Sequence, residues 1–182
     1  MAPPTRASRE TWIKAGLQAL ATGSPDAVRI EPLAKSLGVT RGSFYGHFED
    51  RSALLEAMLD NWERTATDEV LEQVEHRGGD PRAKIKRAGA LTFSEKLLPV
   101  DLAIRDWSRR APAVAERLRR VDNRRMEYLR SLFRDFCGDE EEIEARSVLA
   151  FSLAIGHHFM AADNGPCSRA KAIELAVDQL LR

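Results

Sequence analysis

The chain has 182 residues, of which 43% are hydrophobic and 31% charged, and its 28 basic residues balance its 28 acidic ones, a composition that excludes a disordered chain or a collagen-like fibre. No stretch reaches the roughly 20 apolar residues that a membrane span needs, and the first ten residues lack the apolar segment of a secretory signal, so we expect a cytoplasmic protein without a membrane partner. The two cysteines, Cys137 and Cys167, form no CxxC pair, so neither a zinc site nor a disulfide framework is predicted.

Apolar residues recur every three or four positions along almost the whole chain, and no segment alternates in the manner of a strand, so the predicted fold class is all-α. A first helix is predicted from about residue 8 to 21. A short second helix begins near residue 31 and ends at Gly38, which favours the left-handed conformation of a tight turn. Thr40 can then cap a third helix from about residue 41 to 48, and Asp50 can cap a long fourth helix.

Glycine and proline residues divide the rest of the chain. The clearest break is the segment of residues 76 to 81, which contains two glycines and a proline. Beyond it we predict helices at about 81–97, 100–109, 112–136, 140–163 and 168–181.

Residues 31 to 48 follow the order helix, glycine-containing turn, helix, which allows a second helix to enter the major groove of DNA. Phe44 and Phe48 are four residues apart and can pack together against the preceding helix. Up to Phe48 there are six basic and three acidic residues, a net charge of +3, and the remainder carries −3, so this end of the chain favours an anionic partner. The polar side chains expected on the outer surface of the second helix are Thr40, Arg41, Ser43, Tyr45 and His47.

A family resemblance is carried by four short stretches within residues 13 to 59. They are Ile30-Glu31-Pro32-Leu33-Ala34, Leu37-Gly38-Val39-Thr40, Phe44-Tyr45-Gly46-His47-Phe48 and Leu54-Leu55. With these stretches the segment resembles the N-terminal DNA-binding domain of the TetR family of transcriptional regulators. The resemblance implies a three-helix helix-turn-helix domain over residues 1–50, a larger helical effector-binding and dimerisation domain over residues 51–182, and a homodimer that reads a palindromic double-stranded DNA operator.

The resemblance also implies roles for individual residues. The third helix would lie in the major groove, with Tyr45 and His47 on the phosphate backbone. Arg41, Gly42 and Ser43 would lie near base edges. Arg51 stands where the family usually has a lysine that contacts phosphate. Glu49 is a departure, because its negative charge lies beside that contact and weakens phosphate binding. The predicted DNA-binding residues are Thr40, Arg41, Gly42, Ser43, Tyr45, His47 and Arg51.

In the C-terminal two thirds the resemblance extends to architecture alone, and it implies a pocket for an unidentified small-molecule effector. Such a pocket is expected where bulky side chains of the fourth to eighth helices meet. Adjacent helical positions diverge by about 100°, so His157 and His158 cannot chelate one ion, and neither a metal nor a cofactor is predicted. The pocket candidates, each of which is as readily explained as plain core, are Trp62, Phe93, Trp107, Tyr128 and His157, together with Arg105, which would select an anion.

The last two predicted helices are more apolar than a single core requires. The family pairs these helices with their copies in a four-helix bundle, and a two-fold dimer also suits two palindromic half-sites. The predicted dimer-interface residues are Phe151, Ile155, Phe159, Ile173, Val177 and Leu180.

The sequence therefore predicts a DNA-binding regulator and not an enzyme, with repression that a small molecule relieves. Two alternatives stay open. One is a helical enzyme, although the sequence has no glycine-rich phosphate loop, no nucleophile and base at a recognisable spacing and no metal motif. The other is a helical interaction protein of the same fold that has lost specific DNA binding, for which Glu49 is the hint.

Overall fold

The computed structural model describes residues 7–163 and 165–182. Within these ranges the chain forms ten α-helices and no strand, which confirms the predicted fold class. None of the described helices is both long and apolar enough to cross a membrane. The helices are α1 (Arg9–Thr22), α2 (Ile30–Ser36), α3 (Arg41–Tyr45), α4 (Arg51–Glu63), α5 (Glu69–Arg77), α6 (Pro81–Thr92), α7 (Leu98–Ser108), α8 (Pro112–Arg134), α9 (Glu140–Gly156) and α10 (Arg169–Leu180).

The described residues divide into two compact units. The first contains the described residues up to Asp68 together with Glu95–Arg120, and the second contains Glu69–Ser94 and Val121–Arg182. This division differs from the domain boundary expected at residue 50. The reason is that α1 packs against both α4 and α7, which places these two helices in the same unit as the helix-turn-helix.

The core of the first unit is built where α1 meets α4. Trp12 and Leu20 of α1 and Met58 of α4 are fully buried. Gly16 lies so close to α4 that a Cβ at this position would be 2.6 Å from the Met58 sulfur. Since protein cores are packed at nearly crystalline density, a larger side chain at Gly16 would push the two helices apart.

Aromatic packing holds the short helix α3 on this core. Phe44 is fully buried, its ring meets Trp12 edge-on at 5.3 Å, and it stacks on Phe48 at 5.3 Å. The predicted pairing of Phe44 with Phe48 is therefore confirmed. Gly38 has a φ of 66°, so the left-handed turn between the helices also forms as predicted.

The long helix predicted after Asp50 consists of three parts. Asp50 caps α4, because its carboxylate accepts the Ala53 N–H at 2.8 Å, as predicted. α4 then passes into a π-helical segment, Arg64–Asp68, which leads into α5. Such wide turns are rare and occur mostly as single interruptions of α-helices.

The second unit has its own core between α6, the end of α8, α9 and α10. Its centre is Ile85, Leu129, Phe133, Ile143 and Leu181. Three helices end at least three residues earlier than predicted: α3 at residue 45 instead of 48, α6 at 92 instead of 97, and α9 at 156 instead of 163. The residue that ends α9 is a glycine, which has a low intrinsic preference for helix.

Candidate nucleic-acid interface and ligand pocket

Four of the seven predicted DNA-binding residues share one exposed surface. Thr40, Arg41 and Gly42 are exposed at the start of α3, and Tyr45 is 49% exposed at its end. The buried ring of Phe44 fixes the opposite side of the helix. Thr40 occupies the cap position but makes no side-chain cap hydrogen bond, contrary to the prediction, because the N–H of Ser43 bonds to its backbone carbonyl instead.

Arg41 is held in a small polar cluster on this surface. Its Nη1 donates to Glu31 Oε1 and its Nη2 donates to the Tyr45 hydroxyl, each at 3.1 Å. The hydrogen bond to Tyr45 and the nearby Glu31 carboxylate raise the pKa of Arg41, so it stays cationic. An exposed ion pair of this kind is worth about 0–1 kcal/mol, so a guanine edge or a phosphate can replace Glu31 at little cost.

Two further predicted residues do not lie on the open surface. Ser43 is half-buried, and its hydroxyl oxygen has no hydrogen-bond partner among the described residues. His47 Nε2 donates to the Ala7 carbonyl at 2.8 Å. His47 does not face the open surface because α3 already ends at Tyr45. The residues that follow turn back toward the start of α1.

Arg51 makes contacts that the sequence did not indicate. Its Nε donates to the Val28 carbonyl at 2.6 Å, and its Nη2 donates to the Pro25 carbonyl. Both carbonyls belong to the loop that precedes α2. The guanidinium thus fixes this loop to the start of α4, and the phosphate contact expected of Arg51 stays a prediction.

The second unit contains a pocket of about 390 Å³ between α6, α8, α9 and α10. Three of the six predicted effector contacts line it, namely Phe93, Tyr128 and His157. The other three belong to the first unit. Trp62 is a core residue at 1% exposure, Trp107 lies on α7, and Arg105 Nε donates to the buried Asp101 carboxylate at 2.8 Å.

Two polar groups of the pocket wall have perturbed acid–base properties. Burial and a hydrogen bond of 2.6 Å to the Glu75 carboxylate raise the pKa of Tyr128, so its hydroxyl stays a neutral donor. Burial, and then the adjacent His157 ring, lower the pKa of His158. The centroids of the two imidazole rings are 3.7 Å apart. Near neutral pH the Tyr128 hydroxyl and the His158 imidazole are therefore both neutral.

Arg125 is a pocket residue that sequence reasoning missed. It lies on α8, lines the pocket and is 5% exposed. A signal was present, because Arg125 falls four residues after the buried Val121 and four before the buried Leu129, where an apolar residue is expected. A charge at an inward position of a helix is the pattern that marks a functional or paired group.

The predicted dimer-interface residues separate into two groups. Phe151, Ile173, Val177 and Leu180 are half-buried and line the pocket, and their place in a dimer interface stays a prediction. Of the remaining two, Ile155 is half-buried and Phe159 is 65% exposed. The cause is that α9 is apolar on two sides, and packing alone decides which side faces inward. Other large apolar side chains are also exposed in this region. They are Val148 and Leu149 on α9, Met160 after the end of α9, and Leu175 on α10.

The arrangement defines an all-helical protein with an exposed helix-turn-helix in one unit and a largely apolar pocket in the other. Residues 13–58 match the family model described as bacterial regulatory proteins, tetR family. Residues 13–58 are therefore a TetR-family domain, and the chain has the fold of TetR-family transcriptional regulators. This confirms the family resemblance seen in the sequence.

Solved structures share this fold along nearly the whole chain. A transcriptional regulator from Rhodococcus sp. Rha1 is 22% identical with a TM-score of 0.73, covering 96% of this chain and 94% of its own. A TetR-family regulator from Rhodococcus sp. is 19% identical with a TM-score of 0.64, and the match covers 94% of this chain and 95% of that regulator. A regulator from Saccharomonospora viridis in complex with choline is 16% identical with a TM-score of 0.74, and the match covers 95% of this chain and 93% of that regulator. No curated protein matches the chain significantly.

Proposed function

We propose that this protein is a transcriptional repressor that binds a palindromic DNA operator as a homodimer and leaves it when a small-molecule effector binds. The observation that carries the proposal is the exposed surface of α3 inside the segment that matches the TetR family model. There Arg41 has the donor fork that pairs with guanine O6 and N7. Thr40 and Tyr45 lie beside it with hydroxyl groups that suit phosphate oxygens.

The pocket supports the effector part of the proposal. Its volume of about 390 Å³ falls in the range of roughly 300–1,000 Å³ that small-molecule sites occupy. The structurally similar regulator from Saccharomonospora viridis was solved with choline, so one protein of this fold holds a small molecule. Effector binding would favour a conformation whose recognition helices no longer match the two half-sites.

The test is selection of bound sequences from random duplex DNA by the purified protein at a stated salt concentration. We expect a palindrome whose half-sites lie about one helical turn apart. Arg41→Ala should weaken binding to it by about 10- to 100-fold if the arginine reads a guanine, the equivalent of about 1–3 kcal/mol. Arg119→Ala is the matched control, because Arg119 is an exposed arginine of α8 outside the helix-turn-helix. Unchanged affinity of Arg41→Ala would overturn the assigned recognition surface.

A second candidate is a helical interaction protein of this fold without specific DNA binding. Two acidic groups favour it: Glu31, which already pairs with Arg41, and the exposed Glu49 before α4. The same selection separates the two functions. No enriched sequence, at low as well as moderate salt, would leave the interaction protein as the better description.

A further inference from the structure

The charged side chains of the pocket wall already have partners of opposite charge. The wall contains two basic and two acidic residues, which are Lys86, Arg125, Glu174 and Asp178. Lys86 pairs with Asp178 at 2.6 Å, and Lys171 pairs with Glu174 at 2.9 Å. Arg125 pairs with Asp122 at 3.5 Å. A charged ligand would have to bury its charge without a free counter-ion or break one of these pairs, and either is costly. The wall therefore favours a ligand with no net charge.

Hydrogen bonds within the second unit also decide what the aromatic wall residues can offer a ligand. The Tyr128 hydroxyl donates its proton to Glu75 at 2.6 Å. His157 Nδ1 lies 2.8 Å from the Leu153 carbonyl, one turn earlier on α9. Because a carbonyl oxygen only accepts, Nδ1 carries a proton. When the ring is neutral, the other nitrogen, Nε2, is therefore a hydrogen-bond acceptor.

His157 Nε2 is the acceptor that the wall presents. It lies on the ring edge opposite Nδ1 and makes no hydrogen bond within the described residues, and the half-buried side chain lines the pocket. An acceptor that is removed from water without a donor is costly, so a ligand that fills the pocket binds better if it brings one. The pocket thus favours a ligand with an O–H or N–H group.

The remaining wall suits an aromatic ligand body. The rings of Phe93, Tyr128 and Phe151 stand among aliphatic side chains. Aromatic rings gain edge-to-face or offset contacts with one another beyond the effect of burial. A hydroxyl on an aromatic ring is a good donor and stays neutral near neutral pH, since a phenol has a pKa of about 10. A phenol therefore combines the three preferences of the wall.

We propose that the pocket binds a neutral phenol with an apolar substituent, whose hydroxyl donates to His157 Nε2 and whose ring packs among the aromatic side chains of the wall. This deepens the effector role and rests on it. The expected ligand class is alkyl- or aryl-substituted phenols. It includes neither carboxylates nor quaternary ammonium compounds such as choline.

The experiment compares four probes that share a butylphenyl body: para-butylphenol, para-butylanisole, para-butylbenzoate and para-butylbenzyltrimethylammonium. Binding to the purified protein is measured by calorimetry near neutral pH. We expect the phenol to bind about three- to tenfold more tightly than the anisole, which lacks the hydroxyl proton, as one net hydrogen bond allows. The two ions should bind at least about tenfold more weakly than the phenol. Equal binding of phenol and anisole, tighter binding of either ion, or no binding of the phenol would overturn the inference.

Variants locate the preference for the hydroxyl. His157→Phe keeps a ring but removes the acceptor, so phenol and anisole should bind it equally, whereas His157→Gln should keep part of the preference through its amide oxygen. His76→Phe, at an exposed position on α5, should leave the preference intact. Binding of the anisole shows that the pocket of each variant is formed, and His157→Gln serves as the test if His157→Phe does not fold. A full preference for the phenol in His157→Phe would contradict the inference.

The ligand class and the proposed function can fail separately. Probe binding is measured without DNA, and operator binding is measured on the same proteins without probe. Absence of a specific operator, or a phenol that binds without releasing the operator, would count against the proposed function and leave the ligand class supported. Loss of the phenol preference with intact operator binding would count against the ligand class alone.

Discussion

The Arg51 side chain holds the segment that precedes the helix-turn-helix against the start of α4. Its two hydrogen bonds to the carbonyls of Val28 and Pro25 join the start of α4 to a loop more than 20 residues earlier. Removing Arg51 takes the donor from the Val28 carbonyl, at a cost of about 1–3 kcal/mol for a buried group, whereas the Pro25 carbonyl still accepts the Val28 N–H at 3.1 Å. The residue therefore has a structural role whether or not it also meets phosphate.

We predict that Arg51→Met lowers the free energy of unfolding by about 1–2 kcal/mol, because the Val28 carbonyl loses its donor and the Pro25 carbonyl loses one of two. Urea unfolding followed by circular dichroism measures the change. Arg29→Met, at an exposed position in the same region, is the control and should have little effect. If Arg51→Met weakens operator binding but leaves stability unchanged, the phosphate role is the main one and the carbonyl contacts are incidental.

His158 gives a second prediction, for the dependence of stability on pH. Burial and then the neighbouring His157 lower the pKa of His158 from its usual 6.5. The folded protein therefore resists protonation of this group, and the unfolded chain does not. Its contribution to stability is complete above pH 6.5 and is lost as the pH falls toward the lowered value.

His158→Gln should accordingly reduce the loss of stability between about pH 7.5 and about pH 5.5, as measured by urea midpoints at the two values. His76→Gln, at an exposed position on α5, is the matched control. If the stability of His158→Gln falls with pH as much as that of the unchanged protein, groups other than His158 cause the pH dependence.

Two residue-level predictions of local interactions are confirmed, although the equally local side-chain cap predicted for Thr40 does not form. The pairing of Phe44 with Phe48 and the cap by Asp50 span four and three residues, so spacing alone indicates them. The contacts of His47 and Arg51 span 40 and 23 residues. Spacing cannot reveal such partners, because they are brought together only by the packing of the whole unit.

At the level of elements, α8 is joined to α4 by Arg117 and three acids, and Arg120 adds a further contact with Glu63 at 3.2 Å. Arg117 donates to Glu56 and Asp60 at 2.7 Å each and to Glu63 at 2.8 Å. Burial alone would lower the pKa of Arg117, but its hydrogen bonds to Asp60 and Glu63 outweigh burial and raise it. The three carboxylates lie on one face of α4, where they repel one another unless the guanidinium is present.

We predict that Arg117→Met destabilises the protein by about 1–3 kcal/mol, more than the loss of an ordinary surface ion pair, because three like charges then share only the Arg120 contact at Glu63. Urea unfolding at low and at high salt measures the effect. The difference should shrink at high salt, which screens the remaining repulsion. Arg119→Met removes an exposed i,i+3 pair with Glu116 and serves as the control. Equal effects of the two variants would show that the cluster is no stronger than one surface pair.

Helix starts were predicted better than helix ends. α6 and α8 begin at prolines, and a first-turn proline has no N–H to satisfy, so the sequence marks these starts directly. The ends of α6 and α9 depend on how the following residues pack. The π-helical segment Arg64–Asp68 has no signature in its sequence either, since nothing in its composition interrupts a helical pattern.

At the scale of the whole molecule, α9 is apolar on two opposite sides. Ile143, Phe151 and Ala154 face the core or the pocket, whereas Val148 and Leu149 are exposed. Periodicity shows that such a helix has more apolar surface than one core needs, but it does not show which side the protein's own core covers. The sequence therefore predicted a dimerisation helix without deciding between its two apolar sides, and the interface role of Phe151, which lines the pocket, stays a prediction.

The exposed apolar face of α9 offers a direct test of the proposed homodimer. Leu149 is 58% exposed and Val148 46%, and contiguous exposed apolar surface of this kind is typical of a protein–protein interface. We predict that Leu149→Glu yields a monomer in sedimentation equilibrium, because a two-fold interface brings the two introduced carboxylates near each other and buries them. Operator affinity should fall by more than about tenfold, since both half-sites can no longer be occupied by one assembly. Ala113→Glu, at an exposed position on α8, should leave the dimer and its DNA binding unchanged. A Leu149→Glu protein that stays dimeric would move the interface to another surface, and a monomer that keeps full operator affinity would contradict recognition by a dimer.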